Sequence, residues 1–194
     1  MEHNLTEKKI IAEARRIFMQ KGFESTKMDD IAKACNINRP GLNYYFRTKE
    51  KLFEAIYKQA VGTALPSLEK ILNSGKGLEA VTRGVVEIYM RIIRENPSVP
   101  YFLLNECTKD PDRLSIFIKN LGMDIYVRSM ENFRKEGKIR DVPLQALLLY
   151  FYSLIMIPPI ANKFIGNVID EKETITEQQW TDFVSEKIYE FLKP

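Results

Sequence analysis

Apolar residues recur along this chain at intervals of three and four, and no useful stretch alternates apolar with polar at the two-residue period of a strand. The pattern predicts an all-α protein. In the first segment Ile10, Ala14, Ile17 and Phe18 share one helical face, with Thr6 as N-cap and Leu5 and Ile10 placed as a hydrophobic staple. That helix should stop near Lys21-Gly22. A second start, Thr26-Lys27-Met28-Asp29, reads as a capping box for a short helix over Lys27 to Ala34 that buries Ile31 and Cys35. Asn36 then stands where a left-handed turn residue is wanted. Asn38 opens a third helix, and Pro40 is tolerated because first-turn N–H groups have no partner inside a helix. Thr48-Lys49-Glu50-Lys51 starts a fourth, longer helix that runs to the break at Asn73–Gly77. It carries Leu52, Phe53, Ile56 and Tyr57 on one side. Further helices are expected over Leu78–Glu95, Tyr101–Lys109, Arg113–Glu136, Leu144–Ile157 and Thr176–Leu192, separated by Asn96-Pro97, Asp110-Pro111, Gly137 and Val142-Pro143.

The stretch Ala146–Ala161 is apolar on every side, but it is interrupted by Ser153 and Pro158-Pro159 and falls short of the ~20 residues a membrane span needs. It predicts a helix covered all round, inside a bundle or a subunit interface, with no membrane partner. The opening MEHNLTEKK lacks the apolar region of a signal peptide. Cys35 and Cys107 are far apart and make neither a disulfide framework nor a metal spacing. A cytoplasmic protein without metal or cofactor is expected.

Charge changes the picture only through its distribution. Residues 1–58 hold 12 Lys/Arg against 8 Asp/Glu, and residues 59–194 hold 17 against 18. The basic excess of the N-terminal third suits an anionic partner, although a solvated basic surface fits charge alone equally well. Enzyme chemistry finds no support. The one histidine is His3, near the chain start, and there is no Gly-rich phosphate loop, HExxH or Cys/His cluster.

The segment INRPGLNYYFRTKEKLF, Ile37 to Phe53, crowds three aromatics between Arg39 and Arg47. Core, base-stacking platform and reading helix are its three readings. The two short helices joined by Cys35-Asn36-Ile37 have the lengths and tight turn of a helix-turn-helix, whose second helix enters the major groove. Ile31, Ile37, Leu42 and Phe46 would brace it, with Leu42 and Phe46 four apart on the inward face. Arg39, Pro40, Gly41, Asn43 and Tyr44 are left outward. Arg39 suits guanine O6/N7 and Asn43 suits adenine. Gly41 allows close backbone approach, and Tyr44 can touch a thymine methyl or a phosphate.

The order Gly22-Phe23, Ser25-Thr26, Asp30-Ile31-Ala32, Asn36-Ile37-Asn38-Arg39-Pro40, Leu42, then Tyr44-Tyr45-Phe46-Arg47-Thr48-Lys49-Glu50-Lys51-Leu52, resembles the DNA-binding domain of TetR-type (tetracycline-repressor family) regulators. The resemblance implies a helix-turn-helix domain at 1–47, with the motif at about 27–46, and a helical ligand-binding and dimerisation domain at 48–194. It implies phosphate grips by Thr26 and Lys49 at the starts of the second and fourth helices, with Lys27 beside the first. It also implies a groove-facing stretch of Asn38, Arg39, Pro40, Gly41, Asn43 and Tyr44. Tyr45 is either a DNA-backbone contact or a half-buried packing residue. The family commonly has glycine where Asn36 stands, a residue asparagine can mimic. It often has tyrosine where Asn43 stands, so resemblance and local chemistry imply different contacts there.

The resemblance further implies a homodimer formed by the last two long helices, the second carrying Trp180, Phe183, Val184, Ile188 and Tyr189; a monomeric bundle is the alternative. Tyr101, Phe102, Met123, Tyr126, Met130, Tyr152, Met156 and Phe164 are candidate effector-pocket residues, or else core. Asn105 and Glu106 either orient a ligand or face solvent. The expected function is a homodimeric repressor released from a palindromic double-stranded DNA operator by a small-molecule effector. The alternative is an effector-independent, architectural DNA-binding protein acting through a protein partner.

Overall fold

Helix starts in this chain have local causes. At Arg39–Tyr45 the Asn38 side chain accepts a hydrogen bond from the Gly41 N–H at 2.8 Å. At Lys49–Val61 the Thr48 hydroxyl accepts from the Lys51 N–H at 3.2 Å. At Glu177–Leu192, Thr176 and Gln179 form a reciprocal capping box. The computed structural model describes residues 2–62, 64–97, 99–120, 124–169 and 175–194, and twelve helices and no strand occur among them. They are α1 (Glu2–Ser25), α2 (Met28–Ala34), α3 (Arg39–Tyr45), α4 (Lys49–Val61), α5 (Leu65–Leu72), α6 (Leu78–Glu95), α7 (Val99–Lys109), α8 (Pro111–Asn120), α9 (Ile125–Lys135), α10 (Leu144–Met156), α11 (Pro158–Val168) and α12 (Glu177–Leu192).

Several boundaries differ from the expectation. α1 begins at Glu2, because nothing in residues 2–5 stops a helix, so Thr6 lies inside it and Leu5 is 69% exposed. Neither the cap nor the staple forms. The Thr26–Asp29 capping box is also absent. Lys27 is the N-cap of α2, without a side-chain bond, and Thr26 turns the other way. The long fourth helix divides into α4 and α5, since Pro66 lacks an N–H and its ring would clash with the carbonyl of residue 62. The stretch expected as one helix over Arg113–Glu136 is α8 and α9. The poor helix former Gly122, between them in sequence, lies outside the described residues. Pro158-Pro159 interrupts the apolar run as expected and forms the first turn of α11.

The chain forms two compact units, Met1–Gly62 with Phe102–Leu121, and Thr63–Tyr101 with Gly122–Pro194. In the first, α1 packs on α2 and α4, and α2 on α3, around Ile10, Phe18, Ile31, Leu42 and Leu52. An aromatic cluster extends this core: Phe53 lies 5.2 Å from Phe18, 5.0 Å from Phe102 and 4.9 Å from Phe117, centroid to centroid.

In the second unit α6 packs along α12 and α5, with α9 and α10 completing a core of Val85, Tyr89, Tyr126, Phe151, Val184 and Ile188. Arg83 and Arg94 of α6 reach Asp182 at 2.6 Å and Glu177 at 2.9 Å. Within a single chain α10 is covered on one side only. Leu147, Phe151 and Ile155 are buried, whereas Leu149 is 66% exposed. No single described helix is long and apolar enough to cross a membrane.

The α5–α6 contact is closest at Gly84, where an added Cβ would lie 2.7 Å from Ile71 Cγ1. Alanine there gains about 1 kcal/mol of helix propensity but overpacks, at about 1–3 kcal/mol. The clash should win, so Gly84→Ala is expected to lower stability in denaturant unfolding. In an Ile71→Ala background, which removes the opposing atoms, the same change should be neutral or stabilising. Additive effects in that cycle would show that the contact is not tight.

Candidate nucleic-acid interface

The turn between α2 and α3 is built by two backbone bonds around a left-handed residue. Asn36 has φ 57°, its N–H donates to Lys33 O, and the Ile37 N–H donates to Ala32 O, each at 3.0 Å. This is a Schellman closure with asparagine in the place glycine usually takes. It aims α3 so that Leu42 and Phe46 are buried while Asn38, Pro40, Asn43 and Tyr44 lie exposed and Arg39 half-exposed.

On that outer face Arg39 and Asn43 act as one polar element. Arg39 Nε donates to Asn43 Oδ1 at 3.1 Å, and Arg39 Nη1 lies 3.7 Å from Asp29 Oδ1 on α2. The guanidinium therefore bridges both helices of the motif. Asn43 keeps its two amide donors and one lone pair outward, and Arg39 keeps Nη2. Gly41 has a role beyond thinness: a Cβ there would lie 2.9 Å from the capping Asn38 Oδ1. Tyr44 is 74% exposed, and its ring meets half-buried Tyr45 edge-on at 5.3 Å. Lys27 is exposed beside this face.

Thr26 and Lys49, expected to grip phosphates, are turned inward. Thr26 is buried and its hydroxyl donates to Gly22 O at 2.7 Å. The Lys49 ammonium donates to Phe23 O at 2.9 Å and Glu24 O at 3.4 Å, and stands 4.3 Å from the Phe23 ring centroid. From the kink at Gly22 to its end at Ser25, α1 holds no basic residue of its own. Lys49 supplies a cation there, sharing Phe23 O with the Thr26 N–H, at a helix end where the dipole favours positive charge. Both residues close the corner between α1 and α2.

The same corner is held from α7 and α8 by residues that sequence reasoning missed or misplaced. Glu106, read as ligand-orienting or solvent-facing, is only 2% exposed. Its carboxylate accepts from the Phe23 N–H at 3.3 Å, Asn105 Nδ2 at 3.2 Å and Arg113 Nη2 at 2.6 Å. Arg113 also hydrogen-bonds Glu24 and lies 4.2 Å from the Phe23 ring centroid. Burial works to lower the Arg113 pKa, but the Glu24 hydrogen bond and the charges of Glu106, Glu24 and Asp110 outweigh it and raise it. The Arg113 hydrogen bond, then its charge, holds the Glu24 carboxyl below its ordinary range. No local pattern announces this cluster. Asp29, ten residues before Arg39, is equally silent in sequence.

The expected effector-pocket residues are divided between the two units. Phe102 packs on Phe53 and Tyr57, and Asn105 bonds Glu106, all in the first unit. In the second unit Tyr126 and Met130 are core, Tyr152 meets the Tyr89 hydroxyl at 3.3 Å, and Met156 is half-buried. Tyr101 and Phe164 are exposed, and Met123 lies outside the described residues. Of two cavities, the one walled by α5 and α6 is lined by none of the candidate effector residues, and the one inside the first unit is lined by Glu106 alone among them. Helical periodicity marks an inward face but not the neighbour that face meets.

The Lys49 geometry makes a specific demand. Lys49→Met should cost about 1–2 kcal/mol of folding stability, since it leaves α1 carbonyls without their cation. The salt dependence of DNA binding should be unchanged. A salt slope lowered by about 1, with stability intact, would instead mark Lys49 as a phosphate ligand.

A family model described as "Bacterial regulatory proteins, tetR family" matches residues 10–56, which span α1 to α4. The Staphylococcus aureus protein IcaR, the HTH-type negative transcriptional regulator of the biofilm operon icaADBC, is 39% identical over 180 residues, covering 89% of this chain and 94% of its own. Among solved structures, the hemolysin II transcriptional regulator HlyIIR superposes with a TM-score of 0.68 at 21% identity, covering 98% of each chain. The ketosteroid transcriptional regulator KstR2 of Mycobacterium tuberculosis does so with 0.67 at 14% identity, covering 97% of this chain and 95% of its own. The last two likenesses show the fold; the match to IcaR across nearly the full length carries the relationship. This chain belongs to the TetR family of DNA-binding transcriptional regulators, whose members are not enzymes.

Proposed function

We propose that this protein is a homodimeric cytoplasmic repressor that binds a palindromic operator and is released from it by a small-molecule effector. Residues 1–47 are the reading head and 48–194 the regulatory and dimerising part. The observation that carries the reading is the outer face of α3, where Arg39 and Asn43 present aligned donors on a helix braced by buried Leu42 and Phe46. Arg39 and Asn43 read base edges, Tyr44 and Tyr45 meet the backbone and flanking bases, and Lys27 and Asn38 meet phosphates. Pro40 and Gly41 keep the first turn thin enough to enter the groove.

The dimer reading rests on apolar surface. α10 and α12 pack together, yet Leu149 on one and Phe183 on the other remain exposed, and α11 exposes Phe164, Ile165 and Val168. So much exposed apolar area on neighbouring helices favours burial against a second copy. Two reading heads related by a two-fold axis then match two half-sites. The repressor sense is supported by the description of IcaR as a negative regulator.

Selection of bound duplexes from a random pool should recover a palindrome; failure to enrich any sequence would favour an architectural role. At the recovered operator Arg39→Ala should lose about 1–3 kcal/mol, with non-specific binding less affected. Asp29→Ala should relax discrimination at the base Arg39 reads while leaving phosphate affinity nearly unchanged. Leu149→Glu combined with Phe183→Glu should yield monomers by sedimentation and abolish operator binding. Dimers of undiminished stability would place the interface elsewhere.

A further inference from the structure

We propose that the cavity inside the first unit binds a small lipophilic ammonium ion, one aromatic ring with a short cationic arm, and that this is where an effector acts. The inference rests on the effector-released reading above and adds to it a site and a ligand class.

The cavity measures about 160 Å³. That is close to the roughly 150 Å³ of an apolar cavity known to hold one benzene ring. Its floor is apolar, formed by Phe53, Leu114 and Phe117, where the Phe53 and Phe117 ring centroids lie 4.9 Å apart. The rim selects charge. Glu50 and Glu54 line it, together with buried Glu106 paired to Arg113. Arg113 is already satisfied by Glu106 and Glu24, with Asp110 Oδ2 3.7 Å away, so an anionic ligand would meet carboxylates wherever it approached the guanidinium. Glu54 holds Lys51 at 2.9 Å and Lys58 at 3.4 Å. Glu50 has no ionic partner among the described residues. An ammonium placed at Glu50 gains that carboxylate and the faces of nearby rings, which attract cations by their quadrupole.

Phe23 gives the site a route to the reading head. It lines the cavity, its N–H is held by Glu106, and its carbonyl is held by Lys49 at the corner where α1 turns into the helix-turn-helix. A ligand against Phe23 touches α1, α4 and α8 at once. It shifts DNA affinity only so far as it binds one arrangement of that corner better than another.

The test uses the full-length protein and 2-phenylethylammonium, with phenylacetate and 2-phenylethanol as its anionic and neutral counterparts. Calorimetry should show one site per chain for the ammonium, no binding of phenylacetate, and weaker binding of the alcohol. Glu50→Gln, an exposed change that keeps shape, should weaken the ammonium about fivefold and leave the alcohol unchanged. Leu114→Trp, which fills the cavity, should abolish both. If circular dichroism shows Leu114→Trp to be unfolded, Glu50→Gln decides alone. Equal binding of ammonium and carboxylate, or indifference to Glu50→Gln, overturns the proposal. Labelled operator duplex separates this from the underlying reading. Binding at the cavity with operator affinity unchanged overturns its effector role, while operator release by another compound with no ammonium binding overturns the site and leaves the effector-released repressor standing.

Discussion

A carboxylate removed from water must be paired and hydrogen-bonded, or it will take up a proton or unfold its surroundings. Glu106 meets that demand with a guanidinium, an amide side chain and one backbone N–H. The backbone donor is the consequential one, because it belongs to Phe23, the residue after the point where α1 stops being a regular helix. Gly22 there has φ 79° and ψ 170°. A side chain at Gly22 would be strained by its dihedrals and would also meet Lys109 Nζ at 3.1 Å and Asn105 Nδ2 at 3.2 Å. Breaking the Glu106–Arg113 pair by removing the arginine would leave a buried charge, a change that typically costs about 3–5 kcal/mol. The packing of α7 and α8 and the direction of α1's last residues are thus one condition.

The reading helix inherits that condition. Thr26 returns its hydroxyl to Gly22 O, Lys49 returns its ammonium to Phe23 O, and α2 begins two residues after Thr26. Each bond fixes the chain immediately before the helix-turn-helix. Inside the motif the bonds are short-range: the Asn36 closure, the Asn38 cap on Gly41, the Thr48 cap on Lys51. Local chemistry gives the motif its shape, and the corner orients it within the first unit.

This division explains what was legible in the sequence. Asn36, Asn38 and Thr48 act on residues within five positions, so their residue type and order disclose their function. Leu42 is inward because helical period requires it, and Phe46, the extended residue that ends α3, is also buried. Thr26 shows the limit of that logic. Its sequence fits a capping box, in which the hydroxyl oxygen would accept from the Asp29 N–H, but the hydroxyl instead donates back to the Gly22 carbonyl four residues earlier. Glu106 and Arg113 lie on separate helices broken at Asp110-Pro111, and their shared partner is more than 80 residues away. The candidate pocket residues divide for the same reason: Phe102 and Tyr126 are both inward-facing aromatics, yet they belong to different units.

The basic excess of the N-terminal third must also be reinterpreted. Much of it is already paired: Lys21 with Asp30, Arg39 with Asp29, Lys51 and Lys58 with Glu54, Arg16 with Glu13. These partners are at the surface, where such pairs contribute about 0–1 kcal/mol. A duplex phosphate, with counterions to release, competes readily for cations held that weakly. The pairs therefore orient the basic side chains in the free protein without withholding them from DNA. Lys49 differs in kind. Its acceptors are backbone carbonyls at the corner, Phe23 O, which the Thr26 N–H also reaches, and Glu24 O, so moving it to a phosphate would remove a charged donor from that corner. Net charge counts both kinds of cation alike, and it is the acceptor each one holds that decides which are available to bind DNA.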